Sequence, residues 1–163
     1  MKVAIKLIFA FTLYLVVGVV EAQSKCVKTT MGLSSMHKEQ ITLVNDTGQR
    51  IALFAFVADE NYERASGFQH ICPEVVDQVQ ILFSYDAEQV GRFHMQNVHV
   101  PLDIAFFNAE GRLIKSMLME TYSEDFKPLY SPGAPFQFAL EARQGFFSEI
   151  GVNSENSFLL LDQ

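Results

Sequence analysis

Polar and apolar positions alternate in short bursts along most of this chain, and the bursts are separated by turn residues. Residues 41–44 (Ile-Thr-Leu-Val) read as a short strand, and Asn45-Asp46-Thr47-Gly48 as the turn that ends it. Arg50–Ala58 carries Leu53, Phe54, Phe56 and Val57 on both faces, which predicts a central strand. Further strands are predicted over residues 79–84, 91–95, 102–107, 112–119, 136–141 and 157–161. Of these, 136–141 alternates as a half-buried strand, and 102–107 with 112–119 form a hairpin closed through Gly111. Pro101 interrupts any ladder, so residues 97–100 cross at an edge or in a loop. One short helix is predicted from Asp59, as its cap, to Gly67, and another within residues 142–150, ending near Gly151. Residues 70–80 connect, with room for a helical turn starting at Pro73, and residues 121–135 form a long loop. About eight short strands and two short helices predict a mainly β fold, an antiparallel sandwich or barrel and not a βαβ sheet.

The chain's start follows a different pattern. Lys2 and Lys6 precede an apolar run over residues 7–20, and Val20-Glu21-Ala22 offers small residues for cleavage. That is the layout of a secretory signal peptide over residues 1–22, too short for a comfortable membrane span of about 20 apolar residues. A retained anchor is the alternative; lipid attachment at Cys26 is disfavoured by Gln23-Ser24-Lys25 before it. Residues 23–40 then read as a polar lead-in, and 41–163 as one β domain. The expected location is periplasmic or secreted, with no stable membrane insertion after cleavage.

Charge narrows the partners. The net charge of −7 becomes −8 once Lys2, Lys6 and Glu21 are removed, and no basic cluster follows. Nucleic acid and anionic lipid are therefore poor partners. Fifteen phenylalanines against no tryptophan fit a packed β core better than a sugar-stacking platform. Two cysteines, Cys26 and Cys72, permit one disulfide in an exported protein; two unpaired thiols are the alternative. A nucleophilic Cys72 is disfavoured, because His70 nearby does not bring a base onto the sulfur.

Candidate chemistry concentrates in residues 92–108. Asp103 sits between Leu102 and Ile104 at a strand start, so its carboxylate should be half-buried and in need of a partner. Pinning the loop through Pro101 is the first reading, with Arg64 or backbone as donor; a ligand contact is the second. Asn97 suits bridging two backbone segments, and Met95 suits core filling. Glu63 and Arg64 are adjacent on the first helix and point apart, which leaves Glu63 solvated and Arg64 free to reach inward. Glu141 reads as an outward strand residue or a cap for the next helix. His94 and His99 do not have metal-ligand spacing, no phosphate loop or nucleophile elbow is present, and no cofactor or metal is expected. Asn45-Asp46-Thr47 fits a glycosylation sequon, which matters only in a eukaryotic secretory host.

Several of these stretches together resemble one family. Glu63-Arg64-Ala65-Ser66-Gly67-Phe68 resembles a Glu-Arg-x-x-Gly-Leu element, and Ile81-Leu82-Phe83 a Met-Leu-Phe strand. Residues 93–106 are similar to Phe-Trp-Met-Lys-Asn-Thr-x-Ile-Pro-Leu-Asp-x-x-Phe. Gly111-Arg112-Leu113-Ile114 resembles the strand after it, and Leu140-Glu141 with Gly145 a Leu-Glu-x-x-x-Gly element. These are marks of DUF192, a domain-of-unknown-function family widespread in prokaryotes, and the similarity runs from about residue 41 to the end. The resemblance implies a jelly-roll-like β fold, often behind a signal peptide, without naming a reaction. His94, Gln96 and Val98 replace the family's tryptophan, lysine and threonine, and the glycine before Met-Leu-Phe is missing near Val79-Gln80.

Three functions remain open on the sequence. The favoured one is an exported, non-catalytic binding or accessory domain that recognises a small molecule or an envelope protein. A periplasmic, hydrolase-like enzyme using Asp103 with His94 or His99 is the second. A structural interaction module of an envelope complex is the third.

Overall fold

The computed structural model describes residues 26–161; the leader predicted over 1–22 lies outside the described residues. Among the described residues the chain is mainly β, with nine strands and four short helices. β1 (His37–Val44) and β2 (Arg50–Ala58) form a hairpin. The crossover that follows holds α2 (Asn61–Ser66) and α3 (Pro73–Val76) and delivers the chain to β3 (Ile81–Gln89). β5 (Leu102–Phe107) and β6 (Leu113–Met119) are the predicted second hairpin. With β8 (Phe136–Arg143) and β9 (Phe158–Leu161) these strands make one seven-stranded sheet, ordered β6-β5-β8-β3-β2-β1-β9. β4 (Phe93–His94) and β7 (Leu129–Tyr130) form a separate two-stranded ribbon.

All neighbours in the large sheet are antiparallel except β2 and β3, which run parallel. A parallel pair requires a crossover, and residues 59–80 supply it. The expected wholly antiparallel sheet is therefore a mixed one. The sheet also curls until its two edges touch: Leu113 N–H donates to Ser157 O at 3.0 Å and Leu159 N–H to Gly111 O at 2.7 Å. Gly111 makes this closure fit, since its φ is 75° and a Cβ there would lie 2.1 Å from Leu159 O.

Curling creates two apolar layers. The inner layer draws on all seven strands, including Leu43, Val57, Leu82, Phe107, Leu140 and Leu159, and is closed by Phe147 of α4 (Phe146–Ile150). On the outer face, Ile81, Phe83, Ile104, Phe106 and Ala139 are covered by the crossover residues Phe68, Ile71 and Val76 and by Leu33 of α1 (Met31–Ser35). β8 is thus buried on both faces and central, where alternation alone suggested a half-buried strand. The alternation failed because the cover over its second face comes from residues more than 60 positions away in the chain.

The lead-in is also structured. Thr30 caps α1 through its Oγ1, which accepts from Leu33 N–H at 3.1 Å, and Leu33 and Met36 are buried. Cys26 and Cys72 form a disulfide, and Val27 bridges Ile71 beside it. Helix α2 starts one residue later than expected: Glu60, not Asp59, is the cap, in a reciprocal arrangement with Glu63. Asn45, the residue of the sequon, is buried, and its amide is occupied by Thr47, Gln49 and Ile150 O. It closes the β1–β2 turn and offers no room for a glycan.

The disulfide ties α1 to the crossover, so opening it frees the cover of the outer layer. Cys72→Ser should lower stability by roughly 4 kcal/mol through the loop it opens in the chain-entropy model. Denaturant unfolding of both proteins checks this, and an unchanged midpoint would contradict it.

Candidate ligand cavity

Two hollows open on opposite faces of the sheet. The first, about 250 Å³, lies on the outer face between α2, β3 and the segment leading into β4. Its floor is Glu141 of β8, which sits in register between Ile81 of β3 and Ile104 of β5. Both neighbours belong to the outer apolar layer. The Glu141 side chain therefore points into apolar surroundings, and the residue is only 5% exposed. Its carboxyl makes no hydrogen bond or ion pair with the described residues. Burial alone pushes its pKa up to about 8. At neutral pH it is mostly an uncharged carboxylic acid facing a cavity.

The walls are aromatic and basic. Phe93 meets Phe83 edge to face at 4.9 Å between ring centres and Phe106 at 5.5 Å. The Arg64 guanidinium lies 5.0 Å from the centre of the Tyr85 ring and is fixed by carbonyls. Its Nη1 donates to Ser84 O at 2.9 Å and also to Asp59 O, and its Nη2 donates to Asn61 Oδ1 at 2.7 Å. Burial raises the Tyr85 phenol above its ordinary value; Arg64 opposes that shift and Glu141 adds to it. Arg92 and His94 stand exposed at the mouth, and His94 Nδ1 accepts from Gln96 N–H at 3.3 Å.

Gly67 shapes the floor. Its φ is 45°, and a Cβ there would lie 3.4 Å from the Phe83 ring and 3.7 Å from Glu141 Oε2. A side chain at this position would project toward the carboxyl. Glu63, expected to be solvated, is buried instead. Burial opposes its charge, but donors at Glu60 N–H, the Ser35 hydroxyl and Asp59 N–H hold its pKa below the ordinary value. The contrast with Glu141 is instructive. One buried carboxylate caps a helix and is satisfied, and the other is not.

The second hollow, about 270 Å³ and shallower, contains Asp103 with Ser116, Leu118, Gly145 and Phe147. Asp103 alternates with Leu102 and Ile104, which face the outer layer, so it points to the other side of the sheet. Burial raises its pKa, while the backbone N–H groups of Phe147 and Gly145 and the charge of Arg143 pull it back. Asp103 thus lies near the start of α4, and Arg143 itself pairs with Glu149.

The residues singled out in the sequence separate accordingly. Arg64, His94 and Glu141 line the first cavity. Met95 is fully buried in the outer layer, and Pro101 leads into β5. Asn97 holds the left-handed conformation at φ 58°; its carbonyl accepts from His70 N–H at 2.7 Å and its Nδ2 donates to Gln69 Oε1 at 3.1 Å. Asp103 and His94 line different hollows, and His99 lines neither. Among the described residues no group of three or more His, Cys, Asp or Glu converges as metal ligands would. Phe83, Tyr85 and Arg92 are cavity residues that the sequence did not single out. An arginine or tyrosine on a strand carries no signal of its own until the helices that roof it are placed.

The DUF192 family model, described as Uncharacterized ACR, matches residues 42–158. The chain belongs to the DUF192 family. Two solved structures share the fold of this DUF192 chain. One, from Sinorhizobium meliloti 1021, is provisionally described as a transcription regulator; it superposes with a TM-score of 0.69 at 21% identity, over 77% of this chain and 95% of that one. The other, a protein of unknown function from Novosphingobium aromaticivorans DSM 12444, gives 0.65 at 19% identity, over 88% and 99%. No curated protein matches the chain. Of the three departures from the family pattern, His94 and Val98 line the cavity, and Gln96 does not.

Because Glu141 binds a proton more readily folded than unfolded, its contribution to stability is fully present below about pH 4.5 and is lost progressively as pH rises toward about 8. Unfolding measured from pH 4.5 to 8.5 should show a decline on the order of a few kcal/mol from this group. Glu141→Gln should flatten it. A wild-type profile no steeper than the variant's would mean the carboxyl is paired or hydrated.

Proposed function

We propose that this DUF192 protein is an exported, non-catalytic domain that binds a small molecule in the Glu141 cavity. The observation that carries the reading is a carboxyl almost completely removed from water, left without a partner, on the floor of an open hollow. A buried polar group without a hydrogen bond costs roughly 1–3 kcal/mol. A ligand that completes it recovers that cost. The aromatic walls and the few convergent polar groups are the usual composition of a small-molecule site.

Export is supported by the leader pattern at residues 1–22 and by the Cys26–Cys72 disulfide, which suits an oxidising compartment. On this reading the domain works in the periplasm or outside the cell, without membrane insertion once the leader is removed. Among the described residues no helix is long and apolar enough to cross a membrane. The provisional regulator label of the Sinorhizobium meliloti protein is not extended to this chain, whose charge of −7 opposes nucleic acid.

Native mass spectrometry of the protein isolated gently from its source tests this. The wild type should carry a small molecule at stoichiometric occupancy, and Glu141→Leu should have lost it while remaining folded. An apo wild-type protein, or an adduct equally retained by Glu141→Leu, would count against the cavity.

A further inference from the structure

We infer that the Glu141 cavity takes a small organic carboxylate, with the floor carboxyl donating a hydrogen bond to it and Arg92 supplying the countercharge at the mouth. This assignment rests on the binding reading above and names its ligand class. The charged and titratable groups that face Glu141 are few. Helix α2 contributes Arg64, β3 contributes Tyr85, the approach to β4 contributes Arg92, and β4 contributes His94. From β5, Glu141 meets only the apolar Ile104. Glu141 is therefore the only carboxyl lining the cavity among the described residues, and the groups with permanent charge there are both arginines.

Those arginines differ in availability. Arg64 already donates to two carbonyls and to Asn61, which makes it part of the wall. Arg92 is exposed and makes no hydrogen bond or ion pair with the described residues. It is the cation free to meet an incoming anion, in a chain whose overall charge is −7. At the other end, a buried neutral carboxylic acid is a hydrogen-bond donor. An anionic ligand oxygen accepts that proton's hydrogen bond, so the floor is completed without opposing two ionised carboxylates. A cationic amine would have to pass Arg92 and Arg64 and then force Glu141 to ionise. The hollow, at about 250 Å³, sits just below the usual range of about 300–1,000 Å³ for ligand sites, which limits the ligand to a small acid.

The test is titration calorimetry on the full protein with succinate and, separately, with butylammonium, from pH 6 to 9.5. Succinate should bind, and its affinity should fall about tenfold per pH unit above about 8, where the donor proton is lost. Glu141→Gln, whose amide still donates, should bind succinate with no such fall, and Arg92→Ala should weaken binding about tenfold. Butylammonium binding that strengthens as pH rises would overturn the carboxylate class and leave the cavity as a binding site. Absence of succinate binding across the range would overturn the class as well. It would overturn the binding reading too only if the protein from its source also carried no small molecule.

Discussion

The centre of the sheet is buried on both faces, and the rest of the structure follows from how that burial is achieved. β3, β5 and β8 present apolar side chains inward and outward, so each face needs its own cover. Curling supplies the inner cover, because a strongly twisted sheet can fold its other strands over its own concave side. The outer cover must come from elsewhere in the chain. It comes from the crossover between β2 and β3, from α1, and from the disulfide that ties α1 to that crossover. The one parallel pair in the sheet is therefore tied to the helices that roof it.

A roof made of short helices and a two-residue ribbon does not close completely, and the gap is where Glu141 points. The two buried glutamates then take different roles for one physical reason. Glu63 lies beside the free N–H groups at the start of α2, which hold its charge. Glu141 lies on a strand whose own amides are already used in the ladder, so no backbone donor there holds its charge. A buried carboxyl in an otherwise well-packed layer lowers stability, and the proposed binding role gives that cost a use. Asp103 shows the alternative outcome. Its carboxyl is only half-buried; burial raises its pKa too, but the backbone N–H groups at the start of α4 and the charge of Arg143 oppose that shift.

The sequence carried the parts that depend on local periodicity. The β1–β2 and β5–β6 hairpins, the helix stopped by Gly67 and the long loop before Phe136 were all legible, because turn residues and alternation are local signals. The layer arrangement was not. Residues 136–141 alternate in a way that sends Glu141 outward to solvent, whereas the cover on that side buries it. The sequence drew attention to residues 92–108, and four of them, Arg92, Phe93, His94 and Val98, border the cavity. It also drew attention to Asp103, which lies on the other face of the sheet in the second hollow. Around α1, Leu33 and Met36 in a polar stretch are too few to register as periodic, although both reach the core.

The central claim is that the Glu141 carboxyl is neutral at physiological pH because it is buried without a partner. Infrared difference spectroscopy of the ligand-free protein, titrated from pH 5 to 10, reads this directly through the carbonyl stretch of a protonated carboxylic acid. The account predicts one such band that persists at pH 7, disappears with a midpoint near 8, and is absent from Glu141→Gln. A spectrum in which every carboxyl has ionised by about pH 5 would contradict it.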